Sequence, residues 1–267
     1  MSSKKKSIAE LKHKKVFFFD LDGTLYLGNK LFDGAIELMQ ALKEQGKCYF
    51  FLSNNSSKST ADYLKKLNTL NLNATRENVI LSQHPTINYL KTNNYKTLFL
   101  LGNESLKKEF VEEGFTISES NPEIVILAFD QELTYDRLVK ASNLLQKGLP
   151  YIATHLDDKC PTEDGFIPDA GGIAALLYKT TERMPIVFGK PNKEMLLFKL
   201  REINEKPQNA VMIGDRLYTD IKMGTDAGVT TCCVLSGETT LEMINNSNSK
   251  KPDLIINGIW ELLEIFS

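Results

Sequence analysis

Hydrophobic and polar positions fall in alternating blocks along the whole chain. Short apolar runs, each closed by polar residues, are separated by stretches whose apolar residues recur every three or four positions. The first kind reads as strands buried on both faces, the second as amphipathic helices. Val16–Phe19, closing on Asp20, is the clearest strand. Cys48–Ser53, Lys96–Gly102, Glu123–Phe129, Pro150–Thr154, Ile186–Phe188, Ala210–Gly214, Thr230–Leu235 and Asp253–Ile256 follow. Helices are predicted over Asp33–Gln45, where Ile36, Leu38, Met39 and Leu42 are the apolar positions and Gly46 the stop, and over Ser59–Leu70, Thr134–Lys147, Lys193–Ile203 and Asp220–Ala227. Gly171-Gly172 opens a further helix through Lys179, and the last helix runs to Phe266. Gly28-Asn29 within Leu25–Phe32 marks a small hairpin. His155–Ala170, rich in Asp, Pro and Gly, reads as a loop, and Asn245–Lys251 as a polar connector.

Strands alternating with helices predict an α/β fold with a doubly wound, mainly parallel sheet. The section from Leu81 has strands and helices of its own and is long enough for a separate, smaller domain. The expected division is residues 1–80 and 185–267 for the first domain and 81–184 for the inserted one.

Composition narrows the class of protein. The chain has 267 residues, 42% hydrophobic and 25% charged, with a formal net charge of −2. Those values are ordinary for a globular protein and give no support to nucleic-acid or membrane attraction. The lysines of Met1–Lys15 form a local basic patch, expected as a solvated turn or short helix. No apolar h-region follows it, so no secretion signal is expected. No run approaches the roughly 18 apolar residues of a membrane span. Cys48, Cys160, Cys232 and Cys233 match no zinc spacing and read as reduced, mostly packing residues, which points to the cytoplasm.

The candidate chemistry lies where apolar runs stop. Four polar clusters follow four predicted strands: Asp20-Leu-Asp22-Gly-Thr24, Ser53-Asn54-Asn55-Ser56, Gly189-Lys190-Pro191 and Gly214-Asp215-Arg216…Thr219-Asp220. Each has a bland reading when taken singly. Ser53–Ser57 would cap the next helix, Lys190 would be a surface lysine, and Thr219 or Asp220 would be an N-cap. In a parallel sheet, however, the four ends share one edge, where such sheets bind ligands. Together they supply carboxylates, a cation, hydroxyls and backbone N–H groups, the makings of a phosphate site around a divalent metal. Oxygen-only acidic ligands favour Mg²⁺ over zinc. A carboxylate at Asp20 can attack an electrophile and carry a covalent intermediate, and Asp22 can move the proton.

These clusters, in this order, resemble the motifs of the haloacid dehalogenase-like hydrolases. The long insert after the second cluster resembles the class IIA cap, in the branch of NagD-like, p-nitrophenyl phosphate, phosphoglycolate and pyridoxal phosphate phosphatases. Ala153-Thr154…Asp157…Pro161-Thr162…Gly165…Pro168…Gly171 carries that part of the likeness. The resemblance implies a Rossmann-like core with an α/β cap and a Mg²⁺-dependent phosphomonoesterase acting on small phosphate esters. It implies Asp20 as the nucleophile, Asp22 as the acid and base, and Ser53, Asn54 (by its backbone) and Lys190 as phosphate ligands. Asp20, the Asp22 carbonyl and Asp215 would hold the metal, with Asp220 orienting its shell. It further implies a homodimer paired through the cap. The loop of His155, Leu156, Asp157 and Asp158 is the candidate for substrate contact, with Asn55, or else is merely exposed. His155 stands where many relatives have Asn. The Gly171-Gly172 start either offers N–H groups to an anion or packs, with packing favoured.

A phosphotransferase of the same fold is one alternative, although mutases usually carry a smaller insert after the first cluster. A dehalogenase has no need of Asp22. A catalytically idle metabolite-binding protein is the alternative from a different class, and the complete charge set argues against it.

Overall fold

The computed structural model describes residues 7–162, 164–248 and 250–266. Residues 1–6 of the basic N-terminal patch lie outside them. From Ser7 the chain enters a short 3₁₀ turn, Ile8–His13, started by a capping box of Ser7 and Glu10 and anchored by buried Leu11. Two compact units follow: residues 7–53, 64–80 and 190–266, and residues 54–63 and 81–189.

The first unit is built on a six-stranded sheet. Its order is Leu254–Ile256, Thr230–Val234, Ala210–Gly214, Val16–Asp20, Cys48–Ser53, Val79–Leu81. Val16–Asp20 lies parallel to both neighbours, with Phe19 opposite Ile213 and Asp20 opposite Leu52. Alternation along that strand explains its four consecutive apolar residues. Val16 and Phe18 join Phe50, Leu52, Ile80, Ala210 and Met212 against the helices Glu194–Glu202 and Lys222–Ala227. Phe17 points to the other face and meets Phe266 of the terminal helix edge-on, ring centroids 5.4 Å apart. With all four residues fully buried, each phenylalanine contributes on the order of 2–3 kcal/mol. The strand is thus held on both faces, and its polar end is fixed in place.

The second unit has its own five-stranded sheet, ordered Ile186–Val187, Tyr151–Ala153, Ile124–Leu127, Thr97–Leu101, Thr116–Ile117, all pairs parallel. Phe99, Leu101, Val125 and Leu127 face the helices Tyr135–Gln146 and Ala170–Thr181. Leu98, Leu100, Ile124 and Ile126 face Gln83–Thr92 and Glu104–Glu112. Helices cover both faces, hence the unbroken apolar runs.

Several expectations change. Ile186–Phe188, expected in the first domain, pairs instead with Tyr151–Ala153, while Phe188 packs on Tyr89 with ring centroids 4.7 Å apart. Asn54–Tyr63, also expected there, groups with the second unit, because Ser56 and Thr60 bond to residues far along the chain. The loop His155–Ala170 contains an antiparallel hairpin, Lys159–Thr162 with Gly165–Pro168. Asp220 falls within a π-helical turn, Leu217–Ile221, and the regular helix starts only at Lys222. Among the described residues no helix is long and apolar enough to cross a membrane. Cys232 and Cys233 are both buried because their strand is covered on both faces.

Candidate active site

In the first unit, three expected residues stand at the C-terminal ends of adjacent strands. Asp20 ends the central one, Ser53 ends Cys48–Ser53, and Asp215 follows Ala210–Gly214. The fourth end differs from expectation, since the strand before Lys190 belongs to the other sheet. Lys190 itself nevertheless lies in the first unit and is buried. It pairs with Asp20 and, at 2.8 Å, with Asp220 Oδ1.

After Asp20 the chain coils tightly, with the Leu25 and Tyr26 amides both donating to Leu21 O and Gly23 N to Tyr26 O. Asp22 is exposed on this turn. Gly23 has φ +85°, and a Cβ there would lie 2.5 Å from Asp215 Oδ2, so both conformation and space demand glycine. Thr24 Oγ1 donates to Asp20 Oδ2 at 3.4 Å. Asp220, 1% exposed, accepts from Arg216 N at 3.2 Å.

Carboxylate oxygens of Asp20, Asp215 and Asp220 lie within 4.8 Å of one another. Three carboxylates against one ammonium leave an excess of negative charge. Burial, then the charges of Asp20 and Asp220, push the Asp215 carboxyl up to about 8. Burial also raises Asp220, to about 6, against the pull of Lys190. At Lys190 burial alone would lower the ammonium, but Asp20 and Asp220 outweigh it and hold it above its ordinary range. Asp215 Oδ1 is buried with no hydrogen-bond partner among the described residues. An orphaned carboxylate oxygen inside an oxygen-only, negatively charged cluster fits a hard divalent cation. Asp20, Asp215 and Asp220 are the residues that would hold it.

The remaining expected residues come together in the second unit. Asn54 Nδ2 donates to Asp157 Oδ1 at 3.0 Å, and Ser82 Oγ donates to Asn54 O. Asn55 Oδ1 caps its own turn, accepting from Ser57 N and Oγ. His155 is fully buried, not a surface contact. Its Nε2 lies 3.0 Å from Ser56 Oγ and 3.7 Å from Asp169 Oδ1, while Nδ1 lies 3.7 Å from Asp157 Oδ2. The ring therefore stands between two carboxylates that address opposite nitrogens. Burial raises Asp169 to about 6, although His155 opposes the shift. Asp158 is exposed. The Gly171 amide donates to Asp157 O at 2.9 Å, so that N–H is spent within the protein, in line with the packing reading.

Sequence reasoning missed two features. Asp169, the N-cap of Ala170–Thr181, completes the His155 cluster. A fifth polar strand end, Ser236-Gly237-Glu238-Thr239, follows Thr230–Val234 and touches Asp215 through Glu238 N. Its signal was present, since an apolar strand there also stops in polar residues.

The family model described as haloacid dehalogenase-like hydrolase matches residues 17–116, and a second, HAD-hydrolase-like model matches residues 187–262. An acid sugar phosphatase of Staphylococcus haemolyticus is 31% identical over 90% of this chain and 92% of its own. The 5′-nucleotidase YutF of Bacillus subtilis is 29% identical over 94% and 98%. The crystal structure of a 4-nitrophenylphosphatase from Thermotoga maritima superposes with a TM-score of 0.93 at 39% identity, covering 98% of this chain and 100% of that one. The chain belongs to the haloacid dehalogenase-like hydrolases, in the class IIA branch of NagD and the p-nitrophenyl phosphatases.

Proposed function

We propose that this enzyme hydrolyses small-molecule phosphate monoesters with Mg²⁺ through an aspartyl-phosphate on Asp20. That it is a phosphatase, a phosphoric monoester hydrolase, follows from its family and its relatives. The observation that carries the finer reading is the cluster of Asp20 with the buried Asp215 and Asp220, with Lys190 among them and one Asp215 oxygen unpartnered.

In this reading Ser53, the Asn54 amide and Lys190 bind the phosphoryl oxygens. Lys190 offsets the repulsion between a dianion and the carboxylates. An Asp20 oxygen attacks phosphorus while the bond to the leaving oxygen breaks, and Asp22 gives that oxygen a proton. Water then attacks the same phosphorus, Asp22 takes its proton, and phosphate leaves with the Asp20 carboxylate restored. Asp20, Asp215 and the Asp22 carbonyl would hold Mg²⁺, with Asp220 orienting its shell, and the ion would supply fixed positive charge against the phosphoryl group. In the second unit Asp157, held by Asn54, and Asn55 are the proposed substrate contacts, and His155 acts by fixing Asp157 and Ser56. The cytoplasm is the proposed location, in keeping with the buried packing role of Cys232 and Cys233. We take the molecule to be a homodimer paired through the second unit; a solution mass that stays monomeric at all concentrations would defeat that part.

The test is phosphate release from p-nitrophenyl phosphate, with Mg²⁺ and with EDTA, for the wild type and Asp20→Asn. Metal-dependent release that vanishes in the variant is expected. Release that survives the substitution, or is indifferent to EDTA, would overturn the mechanism.

A further inference from the structure

We infer that the turn Ser236–Thr239 is a bracket that fixes the Asp215 carboxylate, and thereby the size of cation the cluster accepts. The inference rests on the reading of Asp20, Asp215 and Asp220 as metal ligands and adds positioning residues to it.

The turn grips Asp215 on three sides. Glu238 N donates to Asp215 Oδ2 at 2.7 Å, and Thr239 N donates to Asp215 O at 3.1 Å. Gly237 lies against the side chain between them. A Cβ on Gly237 would fall 2.7 Å from Asp215 Cβ and nearer still to the carboxylate. Its φ lies outside the left-handed region, so the demand for glycine here is one of space, not of backbone conformation. One Asp215 oxygen is therefore taken by Glu238 N, and the other, Oδ1, is the one left without a partner. The turn decides which oxygen the cluster is offered.

The bracket is itself tied down at both ends. Ser236 Oγ donates to Gly23 O at 2.8 Å, which fastens it to the loop that follows Asp20. The Glu238 carboxylate accepts from Tyr218 OH at 3.1 Å and pairs by charge with Arg216 Nε 3.0 Å away. Arg216 is the residue after Asp215, so Asp215, Arg216, Tyr218 and Glu238 close a small ring of contacts. Ser236 sets the separation of the Asp20 and Asp215 loops, and Glu238 sets the carboxylate's orientation. Both act through Asp215 and touch no reacting atom.

Rigidity of this kind has a chemical consequence. Mg²⁺ requires near-ideal octahedral geometry at short oxygen distances, whereas Ca²⁺ tolerates longer, irregular shells. Holding one ligand from three directions favours the small cation. Loosening the bracket should weaken Mg²⁺ binding more than Ca²⁺ binding. A turn that served stability alone would not move the ratio of the two.

The experiment is calorimetric titration of the full chain with Mg²⁺ and with Ca²⁺, alongside the melting temperature of the metal-free protein. Wild type, Asp215→Asn, Ser236→Ala, Gly237→Ala and Glu238→Ala are compared. Gly237→Ala should lose about tenfold or more in Mg²⁺ affinity, with Ser236→Ala and Glu238→Ala nearer threefold, and the Mg²⁺/Ca²⁺ ratio should fall in each. The metal-free melting temperature of Ser236→Ala should match the wild type. A ratio within about twofold of wild type in all three turn variants would overturn the inference. So would a loss of both affinities in step with stability. If Gly237→Ala does not fold, Ser236→Ala and Glu238→Ala decide the matter. Asp215→Asn separates the two claims: unchanged Mg²⁺ binding in that variant refutes the metal-ligand reading itself, whereas lost binding with inert turn variants refutes only the bracket.

Discussion

Asp215 in the first unit and Glu109 in the second are both buried carboxyls, 2% and 3% exposed, yet their surroundings act in opposite senses. Asp215 keeps one oxygen unpartnered, faces two other carboxylates, and is pushed up to about 8. Glu109 is satisfied on both oxygens. Thr60 Oγ1 donates to Oε1 at 2.5 Å, Thr60 N donates to Oε2 at 2.8 Å, and Gln83 Nε2 reaches Oε2 at 3.4 Å. His84 Nε2 lies 2.8 Å from Thr60 Oγ1; since that hydroxyl gives its proton to Glu109, the ring donates from Nε2. Its Nδ1 then accepts from Leu81 N. Burial would raise Glu109, but the bonds from His84 and Thr60 outweigh it and hold it down at about 2. Burial alone therefore says little about a buried acid. What matters is whether its lone pairs are filled by the protein or left for something else.

Removing the cation from the underfilled site should have the largest effect. Lys190→Ala leaves Asp20 and Asp220 without their shared ammonium. Turnover of p-nitrophenyl phosphate should fall by more than about a thousandfold. The metal-free protein should also lose about 3 kcal/mol in urea unfolding, because Asp220 remains buried without its ammonium. A variant that keeps a tenth of its activity would contradict the electrostatic role given to Lys190.

Removing the acid from the filled site comes next. Glu109→Ala orphans the Thr60 amide and hydroxyl and one face of His84, and should cost about 3 kcal/mol. Urea unfolding followed by circular dichroism checks it, and a change below about 1 kcal/mol would mean the network is dispensable. By contrast Asp215→Asn should abolish Mg²⁺ binding while leaving the metal-free protein as stable as before, or more stable by about 1 kcal/mol, since Asn needs no proton to be buried beside the other carboxylates. If Asp215→Asn destabilises the metal-free protein as much as Glu109→Ala does, the two carboxyls are not opposites.

The same contrast explains what the sequence could reveal. Asp20, Ser53 and Asp215 were legible because each interrupts a strand buried on both faces, where an acid or hydroxyl is conspicuous. Glu109 was not, because the helix Glu104–Glu112 was itself unpredicted, and only the distant Thr60 and His84 single it out. The helix Gln83–Thr92 was missed for a related reason. Its buried positions include Gln83, Pro85 and Thr86 beside Ile87 and Leu90, so its apolar stripe is broken. Ile186–Val187 is too short to declare its partner, and chain continuity suggested the wrong sheet. Ser236–Thr239 ended a strand as plainly as the others, but its contribution is made by backbone N–H groups, which residue identity does not display.

The smallest effect, and the sharpest form of the comparison, is in the pH dependence of stability with EDTA present. Glu109 has its pKa lowered on folding, from 4.5 to about 2, so its contribution is full above its ordinary pKa and is lost as pH falls through that window. Asp215 has its pKa raised, from 3.8 to about 8, so the folded state holds the proton more tightly. Its contribution is therefore greatest at low pH and declines as pH climbs towards about 8. Asp220, raised to about 6, adds to the same decline. Stability of the metal-free protein should thus fall away on both sides, for opposite reasons in the two units. Glu109→Gln should flatten only the acid limb, and Asp215→Asn only the neutral-to-alkaline one. Saturating Mg²⁺ should erase the second limb in the wild type, because a bound cation takes the place of the Asp215 proton, and leave the first untouched. Urea midpoints measured from pH 3 to pH 9 would show it. A decline close to pH 8 that persists with Mg²⁺, or that survives Asp215→Asn, would mean that Asp215 is not the group that gives up its proton to the metal.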